Sequence, residues 1–179
     1  KSLEEWEKII TDTFSESVAA HQIADVEVGC FLSSGVDSSF VVNEVAKGTP
    51  HVKSFSVGYE EEKYSELPYA LAFSKEIGVP SIANKVSADE FFEANRTIQW
   101  YLDEPMPNPA EVPLYFLCKA ARQRVKVVLS GEGADELFGG YPLYRQAVWA
   151  ERWQKMPRAV RRALAALLPT ALGALLCMA

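Results

Sequence analysis

The 179-residue sequence has little cysteine, little histidine and no excess of basic residues. Its three cysteines, Cys30, Cys118 and Cys177, lie far apart among apolar neighbours, and only two histidines are present. Because there is no CxxC pair and no Cys/His cluster, a zinc site and a disulfide framework are excluded. We therefore expect three buried structural thiols in a reducing compartment, which places the protein in the cytoplasm.

The charge balance excludes a further class of partner. Lys and Arg total 18 against 24 Asp and Glu, so the formal net charge is −6. Nonspecific binding to nucleic acid depends on basic patches that neutralise phosphates, so we expect no nucleic-acid partner. A small anionic ligand held by backbone amides remains compatible with this charge.

The sequence also lacks a hydrophobic run long enough to span a membrane. Residues 163–179 carry no charge, but Pro169 and Gly173 interrupt them, and a membrane span needs about 20 apolar residues. We predict helices there and no membrane partner. We also predict that residues 160–179 drive self-association into a homo-oligomer, since large exposed apolar patches are uncommon on monomers. A start at Lys1, without the basic-then-apolar order of a signal peptide, indicates that the sequence begins inside a longer protein.

Periodicity predicts that helices and short strands alternate along most of the chain. Helices are expected over residues 2–20, 38–46, 65–77, from 88 onward, over 112–124 and after 141. Apolar runs rich in β-forming residues predict strands at residues 26–32, 52–57, 81–86 and 126–129. Strands that alternate with helices form βαβ units, so the predicted fold class is α/β, a parallel sheet with helices on both faces.

The first of two polar loops follows the first predicted strand, and ligands of such sheets bind beyond the carboxyl ends of strands. Residues 33–39 read Ser-Ser-Gly-Val-Asp-Ser-Ser. Small residues let the backbone approach a ligand, and the start of the next helix presents unpaired N–H groups, so the loop predicts a phosphate cradle. It is not a Walker A loop, because no lysine follows the glycine. Taken alone, these residues are also compatible with a purely structural turn.

The second polar loop, residues 130–140, combines four glycines with Glu132, Asp135 and Glu136. Together with Asp37, the two loops carry four carboxylates and no lysine or arginine. Carboxylates beside a phosphate cradle repel the phosphate unless a divalent cation lies between them. Mg²⁺ is commonly held by one or two carboxylates together with substrate phosphates, so the two loops predict a nucleotide–Mg²⁺ site.

Both loops resemble signatures of a known family. Residues 31–39 resemble the pyrophosphate-binding loop of ATP pyrophosphatases, whose usual form is SGGxDSS. Residues 127–141, Val-Val-Leu-Ser-Gly-Glu-Gly-Ala-Asp-Glu-Leu-Phe-Gly-Gly-Tyr, are similar to the second signature of glutamine-dependent asparagine synthetases. Ser-Phe-Ser-Val-Gly at 54–58 and Asp-Glu-Pro at 103–105 match that family in the same order and spacing.

The resemblance implies a fold and a reaction. The fold is that of the adenine nucleotide alpha-hydrolase-like PP-loop ATP pyrophosphatases, with the synthetase domain over residues 1–145 and a helical extension, a truncated part of the same domain, over 146–179. The reaction adenylates the side chain of aspartate with ATP to β-aspartyl-AMP, releases pyrophosphate, and lets ammonia displace AMP to give asparagine. Such chemistry needs mainly positioning and charge stabilisation from the protein.

ATP and Mg²⁺ are the implied cofactors, and aspartate and ammonia are the implied partners. In the family, ammonia comes from a glutamine amidotransferase (glutaminase) domain, which is missing from this sequence. A downstream segment with an active-site lysine is missing too. We therefore expect weak or no synthetase activity from the chain by itself.

Carried over residue by residue, the resemblance assigns roles within both loops. The pyrophosphate cradle would comprise Ser33, Ser34, Gly35, Asp37, Ser38 and Ser39. Leu32 and Val57 would flank the adenine, and Ser130 and Gly131 would contact the adenylate. Asp37 would hold the metal, Asp135 would be a second carboxylate for the metal or the substrate, and Glu132 would handle the proton of the incoming ammonia. Ser34 stands where the family usually has glycine, and we expect this small donor to be tolerated.

Two alternatives remain open at this point. A related ligase could use the adenylated acid for a different bond, as β-lactam and macrolactam synthetases do. A nucleotide-binding domain without catalysis is the other alternative. A hydrolase is disfavoured, because there is no GxSxG elbow and neither histidine neighbours a serine motif.

Overall fold

A computed structural model of the chain describes residues 1–49, 51–105 and 108–166. The chain divides into two compact units, Lys1–Glu132 and Gly133–Ala179. Secondary structure in the first unit comprises α1 (Leu3–His21), β1 (Val28–Phe31), α2 (Val36–Gly48), β2 (Ser54–Tyr59), a 3₁₀ turn (Glu62–Tyr64), α3 (Leu67–Glu76), β3 (Ser81–Val86), α4 (Ala88–Leu102), α5 (Glu111–Ala121) and β4 (Val127–Leu129).

The second unit contributes three helices from its described part, α6 (Ala134–Phe138), α7 (Pro142–Gln154) and α8 (Arg158–Ala166). Residues 167–179, which carry most of the predicted self-association surface, lie outside the described residues. No helix in the described ranges is both long and apolar enough to cross a membrane. The family-domain boundary at residue 145 stays a prediction.

The four strands form one sheet in the order β3-β2-β1-β4, and every pair is parallel. The central strand β1 pairs Phe31 with Phe55 on one side and Cys30 with Leu129 on the other. Parallel strands end at the same edge of a sheet, so the segments that follow β1 and β4 leave that edge side by side. These are the two polar loops, and the predicted parallel α/β sheet is confirmed.

Helices cover both faces of the sheet, as predicted. Cys30 and Leu32 lie in a buried cluster with residues of α1, α2 and α3. The other face of β1 carries Phe31, which packs with Phe55 and with Ala121 of α5. A further cluster on that side joins α4, α5 and the end of β3. Successive side chains of a strand point to opposite faces, so β1, which is buried on both, is apolar throughout.

Local capping explains where two helices begin. Ser87 Oγ accepts the Glu90 amide at 3.3 Å, and Glu90 accepts the Ser87 amide at 2.9 Å, which is a complete capping box. These bonds hold the pKa of Glu90 below its ordinary value. Ser2 and Glu5 cap α1 in the same way. The start of α4 at Ala88 agrees with the helix predicted from residue 88 onward.

Two element boundaries differ from the predictions in a way that matters for the loops. Helix α2 begins at Val36 rather than Ser38, so Asp37, Ser38 and Ser39 lie in its first turn and not in the preceding loop. Residues 130–140 are not a continuous loop, because α6 forms within them. Short polar segments of this kind carry no apolar periodicity, which is the signal that predicts helices.

The expectation of buried cysteines is correct for Cys30 and wrong for Cys118. Cys30 is fully buried in β1, whereas Cys118 is exposed on α5. Two positions along a helix correspond to a rotation of about 200°, so Cys118 faces away from the core that Phe116 enters. Cys177 lies outside the described residues.

This difference predicts selective thiol chemistry. Burial raises the pKa of Cys30 to about 12, so its thiol stays protonated as well as inaccessible at pH 8. We expect iodoacetamide to modify Cys118 in the folded chain and to spare Cys30, as read by peptide mapping. In urea both should react. Modification of Cys30 as fast as Cys118 without denaturant would contradict its placement.

Candidate functional site

The first loop joins β1 to α2, and its own hydroxyl groups hold its backbone. Ser38 Oγ accepts the amide of Ser33 at 3.1 Å and donates to the carbonyl of Gly35 at 3.2 Å. The hydroxyls of Ser33 and Ser38 are 2.9 Å apart, and Ser33 Oγ accepts the amide of Gly35 at 3.1 Å. Two of the predicted cradle hydroxyls therefore shape the loop, and the buried Ser38 is an internal brace.

The first turn of α2 has open amides. Gly35 precedes the helix in an extended conformation, and no side chain of the described residues caps it. The amides of Val36, Asp37 and Ser38 have no acceptor within the helix, and a helix start carries partial positive charge. Helices α1 and α4 each use a serine cap at this place. The uncapped start of α2 therefore suits an anion.

Ser34 is held from outside the loop. Its Oγ donates to Glu66 Oε2 at 2.6 Å, across 32 residues of sequence. Glu66 immediately precedes α3 and is exposed. The sequence analysis did not identify Glu66, and no local motif pairs the two residues.

The second loop meets α2 at Gly131. A Cβ atom on Gly131 would lie 2.7 Å from the amide nitrogen of Ser38 and 2.9 Å from the carbonyl carbon of Asp37. Both distances are shorter than van der Waals contact, so the backbone of the second loop packs directly on the first turn of α2. Next to it, Ser130 Oγ accepts the amide of Glu132 at 3.3 Å. Ser130, Gly131 and Glu132 therefore lie beside the predicted phosphate cradle.

The rest of the second loop belongs to the second unit. Gly133 and Gly139 flank α6 with φ of 92° and 68°, a left-handed conformation that glycine adopts without strain. Asp135 is half-buried in the first turn of α6, and its carbonyl accepts the amide of Gly140 at 3.0 Å. A Cβ on Gly140 would run into the Asp135 carboxylate.

Tyr141 closes this segment. Its hydroxyl donates to Glu136 Oε1 at 2.9 Å, and this bond to a carboxylate raises the pKa of Tyr141 to about 12. The Glu136 carboxylate thus has a structural partner, whereas Glu132 in the first unit is exposed.

The predicted metal ligands fall in different units, Asp37 in the first and Asp135 in the second. Over the described ranges, no three His, Cys, Asp or Glu side chains are grouped closely enough to form a metal cage. Mg²⁺ rarely uses such a cage and binds through one or two carboxylates plus phosphate oxygens. The half-buried carboxylate of Asp37 beside the open amides of α2 fits a Mg²⁺ ion that arrives bound to a polyphosphate. A metal site that also uses Asp135 stays a prediction.

Leu32 and Val57, predicted to flank an adenine, lie at the ends of neighbouring strands. The amide of Leu32 donates to the carbonyl of Phe55 at 2.9 Å, so the peptide groups of Phe55 face β1. Along a strand, the peptide groups of every second residue face the same neighbouring strand, so those of Val57 also face the β1 side of β2. They lie beyond the last residue of β1. The two side chains lie in clusters on opposite faces of the sheet, and their role beside an adenine stays a prediction.

Two further features were not predicted as parts of the site. The buried hydroxyl of Ser56 donates to the carbonyl of Leu32 at 2.9 Å and lies 3.1 Å from Ser81 Oγ, so it braces the end of β1. The sequence signal that could have indicated Ser56 was the Ser-Phe-Ser-Val-Gly match at 54–58.

An open pocket of about 420 Å³ also lies at the end of α4, and its described lining residues are Gln99, Trp100, Asp103, Glu104 and Pro105.

The contact at Gly131 gives a testable prediction. Gly131→Ala forces the second loop away from α2, and we expect about 1–3 kcal/mol lower stability from this overpacking. Urea unfolding followed by circular dichroism measures the change. Gly48→Ala is the matched control, because nothing lies within 4 Å of its Cβ position. Equal midpoints for the two variants would contradict the close approach.

Comparisons with known proteins show which sequences and structures the chain is similar to. The family model described as asparagine synthase matches residues 10–178. A Mycobacterium bovis protein, provisionally named a glutamine-hydrolysing asparagine synthetase, is 48% identical over 155 residues, 87% of this chain and 24% of that protein. The Bacillus subtilis protein named asparagine synthetase [glutamine-hydrolyzing] 1 is 40% identical over 157 residues, 88% of this chain and 25% of its own length.

The chain thus spans about a quarter of the length of these curated relatives. Among solved structures, the NH3-dependent NAD synthetase from Campylobacter jejuni superposes with a TM-score of 0.52 at 15% identity. The superposition covers 76% of this chain and 60% of the other. At this identity the likeness shows the fold alone, and the parallel α/β fold predicted from the sequence is confirmed.

Proposed function

The chain belongs to the asparagine synthase family, and from that premise we propose that it binds ATP and supports adenylation of the aspartate side chain. One observation carries the proposal. Gly131 packs on the first turn of α2, so residues 130–132 of the second polar loop lie against the end of the first loop at the carboxyl edge of the sheet. Ligands of parallel α/β sheets bind at this edge.

The proposed phosphate site is the start of α2. The open amides of Val36 and Asp37 would receive the pyrophosphate part of ATP, with Ser39 in the same turn. Ser33 and Ser38 contribute by bracing the loop through their mutual hydrogen bond. This proposal assigns anion binding mainly to backbone groups, which need no rearrangement when the ligand arrives.

The carboxylates divide into two proposed roles. Asp37 would hold Mg²⁺, whose positive charge would offset that of the phosphates, and Asp135 of the second unit stays the other predicted carboxylate for metal or substrate. Glu132 would accept a proton when ammonia forms the C–N bond to the β-carboxyl carbon and AMP departs. Glu132 follows Gly131 directly, so it lies beside the turn that would carry the phosphates.

The complete reaction involves more than this chain, so aspartate as substrate, a glutaminase domain as source of ammonia, and a cytoplasmic location are parts of the proposal. The two alternatives, another amide-forming ligase and a silent nucleotide site, gain no support from the relatives, which are named asparagine synthetases.

Isothermal titration of the chain with ATP and with pyrophosphate, each in excess Mg²⁺, tests the proposal. We expect both to bind, and pyrophosphate to compete with ATP, because the shared determinant is the α2 start. Gly131→Ala should weaken both. A chain that is folded by circular dichroism but binds neither ligand would refute the site. In a full-length synthetase carrying this segment, we expect aspartate-dependent release of pyrophosphate.

A further inference from the structure

Ser34 is the position at which the first loop departs from the usual glycine, and its side chain bonds outside the loop. The Ser34 hydroxyl donates its single proton to Glu66 Oε2 at 2.6 Å. A bond from a hydroxyl to a carboxylate is short and about twice as strong as a neutral one. Because this proton is committed, the hydroxyl of Ser34 does not donate to a phosphate in the described arrangement.

Glu66 is anchored by the residues around it. The neighbouring Ser65 is buried, and its Oγ accepts the amide of Tyr59 at 3.2 Å, which ties the segment to the end of β2. A Cβ on Gly58 would collide with Ser65 Oγ and lie 2.6 Å from Leu67 Cβ. The start of α3 therefore presses on β2, and the backbone that carries the Glu66 side chain is fixed relative to the sheet.

We propose that Glu66 is a positioning residue for the phosphate loop, acting through Ser34. The Ser33–Ser38 bond holds the inner side of the loop, and the Ser34–Glu66 bond holds its outer side. Together they keep the loop in the shape that leaves the α2 amides open. A loop already held in its binding shape loses less entropy when the ligand binds. This inference rests on the proposed function, because it presumes a phosphate ligand.

The hydrogen bond of Glu66 and its negative charge are expected to change the affinity for a polyphosphate in opposite directions. The bond orders the loop, whereas the negative charge repels a polyphosphate. Four variants separate them. Ser34→Ala removes the bond and keeps the charge of Glu66, whereas Glu66→Gln keeps an acceptor and removes the charge. Glu66→Ala and the double variant, Ser34→Ala with Glu66→Ala, remove both the bond and the charge. Ser15→Ala is the matched control, because Ser15 Oγ donates to Glu44 Oε2 at 2.8 Å in another serine–glutamate pair, between α1 and α2.

The first readout is amide hydrogen exchange of the ligand-free chain, followed by mass spectrometry. We expect Ser34→Ala and Glu66→Ala to speed exchange over residues 33–36 by about 3-fold or more, with β2 and α3 unchanged, because the bond orders only the loop. Glu66→Gln and Ser15→Ala should exchange there like the parent. The urea midpoint should not move for the exposed pair, which separates loop positioning from global stability.

The second readout is the affinity for Mg²⁺–pyrophosphate by isothermal titration. We expect Ser34→Ala to weaken binding about 3- to 10-fold, given the usual strength of a charge-assisted bond at an exposed site. Glu66→Gln should bind at least as tightly as the parent. The double variant should bind no more weakly than Ser34→Ala, because the effects of substituting two partners of one hydrogen bond do not add.

Unchanged loop exchange and unchanged affinity in Ser34→Ala would overturn the inference, as would additive losses in the double variant. If the parent chain binds no pyrophosphate while Ser34→Ala still speeds loop exchange, the proposed function fails and the bracing role of Glu66 stands. If the parent binds and the variants match it in both readouts, only the positioning role fails.

Discussion

Glu132→Gln is expected to slow ammonia-dependent asparagine formation by about 10²- to 10⁴-fold, the usual contribution of a positioned group in proton transfer. Attack by ammonia on the adenylated aspartate leaves a proton to be removed, and glutamine cannot accept it. Glu132 is exposed next to Gly131, and its amide bonds only to Ser130 Oγ at 3.3 Å among the described contacts. Its carboxylate is therefore not committed to holding the fold.

The measurement uses a full-length synthetase that carries this segment, with ammonium chloride as nitrogen source. Pyrophosphate release should fall much less than asparagine formation, because adenylation precedes the step that Glu132 serves. Glu61→Gln is the control, since Glu61 is an exposed glutamate on the turn after β2. Wild-type turnover in Glu132→Gln would remove this residue from the proposed mechanism.

Asp37→Asn is expected to reduce aspartate-dependent pyrophosphate release by about 10²- to 10³-fold, the usual cost of losing one electrostatic contact to developing charge. Asparagine has the same shape, so the packing of Gly131 on this turn is retained. What is lost is the negative charge that would bind Mg²⁺ beside the open amides of α2. The effect should appear in catalysis and not in folding.

Asp89→Asn is the matched control for this variant. Asp89 occupies the first turn of α4, as Asp37 occupies the first turn of α2, so both variants lose the same interaction with a helix dipole. Their urea midpoints should shift by similar small amounts, and only Asp37→Asn should lose activity. A further check is Mg²⁺ dependence, which should move to higher concentration in Asp37→Asn. Equal pyrophosphate release by both variants would refute the metal role.

Much of the fold was predictable, because its signals are local. The strand at 81–86 and the cap at Ser87 follow from a run of β-forming residues and from a serine three places before a glutamate. The alternation of strands and helices restricts the sheet to a parallel one. The loop composition, small residues after a strand followed by a helix start, indicates an anion site without any tertiary information.

Sequence alone therefore determined the alternation of strands and helices in the first unit and the parallel sheet, because these depend on periodicity within single helices and strands. The tertiary structure decided which groups meet. It paired Ser34 with Glu66, set Gly131 against α2, and turned Cys118 to solvent. Contacts such as these join residues many positions apart and depend on how helices and strands pack, which local periodicity does not encode.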